Sequence, residues 1–291
     1  MTLPIPVPVD SNNLMFIGGS TNQTEETGGE YLELGNIFAS CPDIPTHPDG
    51  NRDGHSAVYV PSEDRVLSCL GAYCHTYDFS AKEWSLVEDA GNAYRKNAAL
   101  IAVPNGSGDV LILGGTTSSK TQFYNHGVYR DGPNIPYGKS MTGPCHAVIN
   151  DTHALVADLG GLTYAYDSAF EYFYELPDPR VSRTAAACGV IPKTGEYLLA
   201  GGFDEEGNGL NSTEIYDPRT YEWREGPELP EVAFGGQLFS YGEDSLVWAG
   251  NSNRNVVFQL IGNGWVERTE KLKSWRKYAG VTKIPEDKIT C

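Results

Sequence analysis

The residue pattern with the most chemical content is an arginine that recurs at a fixed spacing. Each copy stands nine positions before a proline, and the residues between them are mostly small and apolar. The copies are Arg52, Arg95, Arg183 and Arg276. A guanidinium binds a carboxylate through two parallel hydrogen bonds, so arginines gathered on one surface would recognise an acidic group. The alternative is that each guanidinium binds carbonyl or carboxylate groups of the protein itself.

The second group of candidates comes from the histidines, of which the chain has six. His55 and His146 stand at nearly equivalent places in two of the apolar segments that follow the arginine position. A copper site similar to that of galactose oxidase would need two tyrosines beside two histidines, with one of those tyrosines cross-linked to a cysteine. Packing or the polar lining of a channel explains this pair better. Together with the four arginines, His55 and His146 are the candidate ligand-binding residues.

Signatures of common catalytic sites are absent from the sequence. It contains neither a GxSxG elbow nor an HExxH helix, and it lacks the Ser-x-Asp-x-Gly-x-x-Trp box. The loop 204–209 resembles a calcium loop, but Ile215 stands where a bidentate glutamate is required, which favours a solvated hairpin loop. We therefore predict no catalytic residues, no metal and no cofactor, and favour a non-enzymatic role.

Composition limits the fold class and the partners. With 33 glycines and 18 prolines among 291 residues, few windows can hold a helix, so many short strands are expected. The net charge of −17 repels phosphate backbones and anionic membrane surfaces, which excludes nucleic acid as the main partner. No apolar run approaches the length that crosses a bilayer, so no membrane span is expected.

The elements that must position the candidate residues are repeats. A short apolar run that ends in one or two glycines occurs six times, and two aromatic positions follow each run, usually seven residues apart. The first glycines are Gly18, Gly71, Gly114, Gly160, Gly201 and Gly250, at steps of 53, 43, 46, 41 and 49 residues. These steps bracket the period of a four-stranded propeller blade.

The order of the repeats predicts how the ring closes. The arginine segment that begins at Arg276 has no glycine run after it, whereas the run at Gly18 has no arginine segment before it. The C-terminal strand therefore supplies the first strand of the N-terminal blade, which removes two exposed sheet edges. The predicted fold is all-β, a single six-bladed ring of four-stranded antiparallel blades. The blades are predicted at residues 274–291 with 10–48, 49–91, 92–138, 139–179, 180–231 and 232–273.

These repeats resemble kelch repeats. The glycine doublet, the Tyr-Asp pair, the later Trp and a Gly-Pro-Glu-Leu-Pro end are most complete in YLLAGGFDEEGNGLNSTEIYDPRTYEWREGPELP. The likeness covers essentially the whole chain, although Ala72 and Asn251 replace second glycines and the third repeat lacks its Trp. The resemblance implies a six-bladed kelch-type β-propeller.

The resemblance also bears on the arginines. In adaptors that join kelch repeats to a BTB domain, arginines at this place face a shallow pocket that receives acidic peptides. The likeness therefore implies a cationic rim of Arg52, Arg95, Arg183 and Arg276. Blades four and six would leave this rim incomplete, because Thr142 and Phe234 stand at the arginine place.

The cysteines and glycosylation sequons concern the compartment. Six cysteines without a CxxC spacing allow about 15 pairings. In the repeat frame, Cys69 and Cys74 face each other across a turn, and Cys145 and Cys188 point to the same side of two consecutive first strands. These are the predicted disulfides, which leave Cys41 with Cys291. The sequons are at Asn22, Asn105, Asn150 and Asn211.

The leading hypothesis is a protein- or glycan-binding module without enzymatic activity, whose ligand could carry acidic groups. We expect it to be secreted, with its leader absent from this chain, and a cytoplasmic location is the alternative. One rival is the substrate-recognition domain of a ubiquitin-ligase adaptor. The other is a sugar-active enzyme that resembles the six-bladed sialic-acid epimerases.

Overall fold

The computed structural model describes residues 12–19, 29–35, 43–50, 53–87, 94–116, 118–136, 141–158, 161–251 and 254–289. These residues form short strands and one 3-10 turn at Glu286–Lys288. The strands are β1 (Asn13–Ile17), β2 (Glu30–Glu33), β3 (Ser56–Val60), β4 (Arg65–Leu70), β5 (Tyr73–Asp78), β6 (Glu83–Val87), β7 (Ala99–Ala102), β8 (Val110–Leu113), β9 (Thr121–Asn125), β10 (Val128–Asp131), β11 (Cys145–Val148), β12 (His153–Ala157), β13 (Thr163–Asp167), β14 (Tyr172–Leu176), β15 (Ala187–Ile191), β16 (Glu196–Ala200), β17 (Thr213–Asp217), β18 (Glu222–Glu225), β19 (Gln237–Tyr241), β20 (Ser245–Ala249), β21 (Val257–Ile261), β22 (Gly264–Glu267) and β23 (Gly280–Ile284).

The strands make six antiparallel sheets, which are the blades of a propeller. Blades 2 to 6 each contain four consecutive strands, from β3–β6 to β19–β22. In blade 1 the described strands are β23, β1 and β2. Strand β23 pairs with β1 so that Ile284 lies opposite Asn13 and Gly280 opposite Ile17. The C-terminal strand therefore completes the N-terminal blade, and the predicted closure of the ring is confirmed.

The first strand of each blade lies at the centre of the ring. Consecutive first strands contact one another from β23 through β3, β7, β11 and β15 to β19. Because neighbouring strands are antiparallel, the segment that enters a first strand and the loop that leaves the second strand lie on one face. We call this the entry face. The turns after the first and third strands lie on the opposite face.

Apolar side chains are buried between adjacent blades rather than in one central core. Leu67 of blade 2 packs in one cluster with Leu100 and Ile112 of blade 3. Leu198 of blade 5 packs in another with Trp248 of blade 6. Strands such as β8 and β20 are buried on both faces, which explains their continuous apolar sequence.

In blades 2 to 5 the two aromatic positions of the repeat meet across the third and fourth strands. Tyr216 lies directly opposite Trp223, with ring centroids 5.3 Å apart. The Trp223 indole then donates a hydrogen bond of 2.6 Å to the carbonyl of Pro177 in the preceding blade. Trp84 and Trp265 make the same bond to Pro45 and Pro227. The repeated tryptophan therefore fastens each of these blades to the end of the one before.

The acidic residue after the first aromatic begins the turn to the fourth strand. Oδ1 of Asp78 accepts hydrogen bonds from the backbone N–H groups of Ser80 and Ala81, both at 2.9 Å. Lys82, at the end of this turn, has a left-handed backbone. Its counterparts in two other blades, Glu171 and Tyr221, do too, and the three φ angles lie between 53° and 61°. This arrangement is an Asx turn, as the Tyr-Asp pairs predict.

Two disulfides join the predicted cysteine pairs. Cys69 and Cys74 lie opposite each other on β4 and β5, and Cys145 on β11 is bonded to Cys188 on β15. The second bond links blades 4 and 5. The predicted pair Cys41 and Cys291 lies outside the described residues. None of the helical segments in the described ranges is long and apolar enough to cross a membrane.

Candidate functional site

The arginine repeat lies at the entry face but inside the blades. Three of these arginines are buried: Arg95 is 0% exposed, and Arg183 and Arg276 are each 3% exposed. Each Nη1 donates a hydrogen bond to the carbonyl of the first glycine in the blade's apolar run. The pairs are Arg95 with Gly114 (2.9 Å), Arg183 with Gly201 (3.1 Å) and Arg276 with Gly18 (2.7 Å). The arginine therefore joins the entry segment to the end of the second strand.

A second partner of each arginine lies on the strand after the glycine run. Nη2 of Arg183 donates to Glu214 on β17 at 2.9 Å, and Nε of Arg276 donates to Glu30 on β2 at 2.5 Å. Nη2 of Arg95 donates to an amide oxygen instead, that of Gln122 on β9. Burial lowers the pKa of Arg95 to about 10.

These contacts correct the prediction of a cationic, ligand-binding rim. The guanidinium groups of Arg95, Arg183 and Arg276 are buried and bind carbonyl, amide and carboxylate oxygens of their own blades. Arg52, the fourth member of the predicted rim, lies outside the described residues. Arg95, Arg183 and Arg276 instead agree with the alternative prediction, in which each guanidinium binds acceptor groups of the protein itself.

A belt of backbone hydrogen bonds closes the entry face. It is formed by the residue two positions after the arginine, or after the residue that replaces the arginine in two blades. This residue has a left-handed backbone in all six blades. These belt residues are Gly54 (φ 91°), Asn97 (58°), Gly143 (64°), Ala185 (55°), Gly235 (68°) and Tyr278 (54°). In five of the six neighbouring pairs, the N–H donates to the carbonyl of the preceding blade's belt residue at 2.7–3.0 Å. The belt fixes the mouth of the channel as a nearly continuous ring.

The belt also corrects the repeat alignment in the two blades without an arginine. Gly143 and Gly235 place Met141 and Ala233 at the arginine position, one residue before the predicted Thr142 and Phe234. The carbonyls of Met141 and Ala233 accept hydrogen bonds of 2.8 Å from the second glycines of the preceding blades' apolar runs.

An apolar surface with one cation lies beside the belt. We call it the mouth patch and define it as Phe203, Val232, Phe234, Lys277 and Tyr278. The rings of Phe203 and Phe234 lie 4.2 Å apart, and Lys277 Nζ lies 5.9 Å from the ring centre of Phe234 and 5.8 Å from that of Tyr278. Val232 is 43% exposed. Three separate segments thus converge, and sequence reasoning missed them because no repeated motif marks them.

The two candidate histidines have separate surroundings. His55 is buried, with Nε2 2.9 Å from the carbonyl of Gly50 and Nδ1 3.3 Å from Ser68 Oγ. Burial lowers its pKa to about 4. His146 on β11 is half-buried and hydrogen-bonds to the backbone of Leu100 on β7, and burial lowers its pKa to about 4 as well. His55 therefore contacts residues in and just before blade 2, whereas His146 of blade 4 contacts blade 3. The two histidines do not share these partners.

Comparison with known proteins agrees with this architecture. The Kelch motif model matches residues 198–230, the segment that carries every element of the repeat. An F-box/kelch-repeat protein of Arabidopsis thaliana is 30% identical over 132 residues, which are 43% of this chain and 33% of that protein. The chain therefore carries a Kelch motif in its fifth blade, and it folds as a six-bladed β-propeller.

A solved structure shows the same fold over nearly the whole kelch propeller. The structure of YjhT superposes with a TM-score of 0.68 at 12% sequence identity, covering 92% of this chain and 100% of that one. The match to the Arabidopsis relative, by contrast, spans only 33% of that protein's length.

Other predicted sites of the kelch propeller lie at its surface. Among the sequon asparagines, Asn105 and Asn150 are exposed and Asn211 is half-buried, whereas Asn22 lies outside the described residues. The loop that resembles a calcium loop is a tight turn, because Asp204 accepts hydrogen bonds from the backbone and side-chain amides of Asn208 at 2.7 and 2.9 Å.

The opposite face of the kelch propeller carries a cleft of 630 Å³ between blades 5 and 6. Its lining is about equally polar and apolar, and its charged residues include Lys193, Glu196, Arg224 and Asp244. Arg224 and Glu196 form an ion pair with an N–O distance of 2.8 Å. Neither a repeated motif nor a catalytic signature in the sequence pointed to this cleft.

Proposed function

We propose that this kelch propeller is a non-enzymatic module that binds another protein through its entry face. The observation that carries the proposal is the mouth patch. Exposed Val232 and the half-buried rings of Phe203, Phe234 and Tyr278, which come from three segments, lie together there beside a single cation. Aromatic residues that can be fully desolvated contribute most of the affinity in typical protein interfaces.

Rigidity of the patch supports this proposal. Tyr278 belongs to both the mouth patch and the belt, and its N–H donates to the carbonyl of Gly235 at 2.8 Å. Phe234 directly precedes that belt residue. A surface held by backbone hydrogen bonds loses little conformational entropy when a partner docks, and less of the interaction energy is then needed to order it.

Charge narrows the class of partner. The net charge of −17 attracts a basic protein over long range, while the patch itself presents only the cation of Lys277. We therefore propose a protein partner with a positively charged surface that inserts an apolar side chain against Phe203 and Phe234. An acidic group next to that side chain would meet Lys277.

Affinity capture with matched variants tests the proposal. The double variant Phe203→Ala/Phe234→Ala is compared with the wild-type chain and with Phe170→Ala as the control. Phe170 is 78% exposed in the turn between β13 and β14, on the opposite face. We expect the double variant to bind the captured partner at least about tenfold more weakly, and the control to bind it normally. Equal capture by all three proteins, with unchanged circular dichroism, would contradict the entry-face assignment.

We propose an extracellular location for the binding module. The Cys69–Cys74 and Cys145–Cys188 bonds support it, because disulfides persist in oxidising compartments. Alkylation without reductant, followed by intact mass measurement on protein from its natural source, should leave these four cysteines unmodified. Modification of all six cysteines would refute the location.

A second candidate is the substrate-recognition part of a ubiquitin-ligase adaptor. It is favoured by the similarity to an F-box/kelch-repeat protein. In that role the mouth patch would receive the substrate, and the cysteines would be reduced in the cell. The alkylation experiment therefore separates the two candidates.

A further inference from the structure

Three histidines and an aspartate cluster in blade 2, and none of them belongs to the mouth patch. We call His47, Asp49, His55 and His75 the histidine cluster. His47 and Asp49 lie in the segment that precedes β3, His55 lies immediately before β3, and His75 lies on β5. The ring centre of His47 is 4.5 Å from that of His55 and 4.8 Å from that of His75.

The cluster gathers donor atoms at metal-binding distances. One ligand atom from each of His47, Asp49 and His75 lies within 4.8 Å of the other two. His75 Nδ1 and Asp49 Oδ2 are 3.4 Å apart. Two ligands bound tetrahedrally to zinc at 2.0–2.1 Å are separated by about 3.4 Å. One edge of such a tetrahedron is therefore already formed, and the third ligand needs to move by no more than about 1.4 Å.

An unsatisfied nitrogen provides independent support. His47 is 1% exposed, and its Nε2 has no hydrogen-bond partner among the residues that the structure describes. A buried polar atom without a partner is unfavourable, and such atoms in native proteins call for a reason. A bound ion would supply the missing partner.

We propose that His47, Asp49 and His75 bind one zinc ion, with a water molecule as the fourth ligand. Two imidazole nitrogens and one carboxylate oxygen form an established zinc donor set that leaves one position open. Asp49 keeps a quarter of its side chain exposed, which gives the ion and the water a path to solvent.

His55 acts as a positioning residue. Both of its ring nitrogens already contact protein atoms, Gly50 O and Ser68 Oγ, and its ring packs edge-on against His47. The indole of Trp84 supports His47 from another side, with ring centres 4.6 Å apart. His47 is therefore held in place on two sides.

Coordination requires one local rearrangement. The backbone N–H of Asp49 lies 3.2 Å from Nδ1 of His47. Binding through Nε2 needs the tautomer with the proton on Nδ1, so this hydrogen bond must open. The same movement of Asp49 can bring its carboxylate toward the ion. Zinc would then fasten the segment 43–50 to the sheet of blade 2.

Metal binding to the full chain, freed of any histidine tag, tests the proposal. Zinc content is measured by mass spectrometry after dialysis against Zn²⁺, and affinity is measured by calorimetry. The variants His47→Phe and His75→Phe keep an aromatic ring and remove the nitrogen. His153→Phe is the control, because His153 also lies beside an aspartate, with Nε2 3.5 Å from Asp167 Oδ2.

We expect one zinc per chain in the wild-type protein and in His153→Phe, and at least a tenfold loss of affinity in His47→Phe and His75→Phe. Zinc should also raise the melting temperature of the wild-type protein but not that of His47→Phe. Substoichiometric zinc in the wild-type protein would overturn the proposal, as would equal affinity in all variants. If the phenylalanine variants do not fold, Asp49→Asn takes their place, and unchanged zinc affinity in it would overturn the proposal too.

Discussion

Replacing Glu214 by alanine removes the carboxylate on which the arginine network of blade 5 converges. Glu214 is 2% exposed. It accepts hydrogen bonds from Arg183 Nη2 at 2.9 Å, from the backbone N–H of Arg180 at 2.7 Å and from that of Val181 at 3.2 Å. Its loss would leave a buried guanidinium without its counter-charge and two backbone donors without their acceptor.

The expected cost follows from that burial. Removing one partner of a buried ion pair lowers the free energy of unfolding by about 3–5 kcal/mol, since the remaining charge stays desolvated. For a chain of this size the melting temperature should fall by roughly 6–20 °C. Denaturant titration and thermal scans without reductant, so that the disulfides stay intact, measure both quantities.

A matched variant separates charge from hydrogen bonding. Glu214→Gln gives Arg183 the kind of neutral amide partner that Gln122 gives Arg95 in blade 3. We expect a smaller loss, about 1–2 kcal/mol, because an amide oxygen can still accept from the guanidinium. A cost below about 1 kcal/mol for Glu214→Ala would refute the claim that these arginines serve the fold.

Three further predictions concern the same framework. Gln122→Glu should raise the free energy of unfolding, because it gives buried Arg95 a counter-charge; a lower denaturation midpoint would contradict this. Ala185→Gly should be neutral or stabilising by up to about 1 kcal/mol, because glycine adopts the left-handed φ of 55° without the strain of a Cβ; a clear loss in the same titration would show that the methyl group matters more. Burial lowers the pKa of His55 to about 4, so the unfolded chain binds more protons than the folded one between pH 6.5 and 4. The free energy of unfolding should therefore fall on acidification through this range, with His55 contributing on the order of 3 kcal/mol. The fall should be smaller in His55→Phe.

The repeated features were predictable because each is local and recurs. Glycine runs at steps of 41 to 53 residues predict the blades, and the unmatched segment at Arg276 predicts the strand that closes the ring. The pairing of Cys145 with Cys188 followed from their side of two consecutive first strands. In these cases the backbone period alone settles which residues face each other.

The direction of the arginine side chains could not be predicted in this way. A guanidinium just before a first strand can reach the channel mouth or turn into the blade. The choice depends on an acceptor about 30 residues further along the chain, or on Glu30 at the other end of it. The same applies to the mouth patch and the histidine cluster, which join segments that share no motif.

The sequence by itself determined the class of fold, the number of blades, the closure of the ring and two of its disulfides. Strand period and repeat spacing can be recognised from short stretches of sequence, without knowledge of long-range contacts. Only the tertiary structure decided which side chains become internal partners of the fold and which come together near the surface. Arg95 and Arg183 became internal partners, and Phe203, Phe234 and Tyr278 became surface neighbours. Burial and long-range pairing set those roles, and both arise only when distant segments pack together.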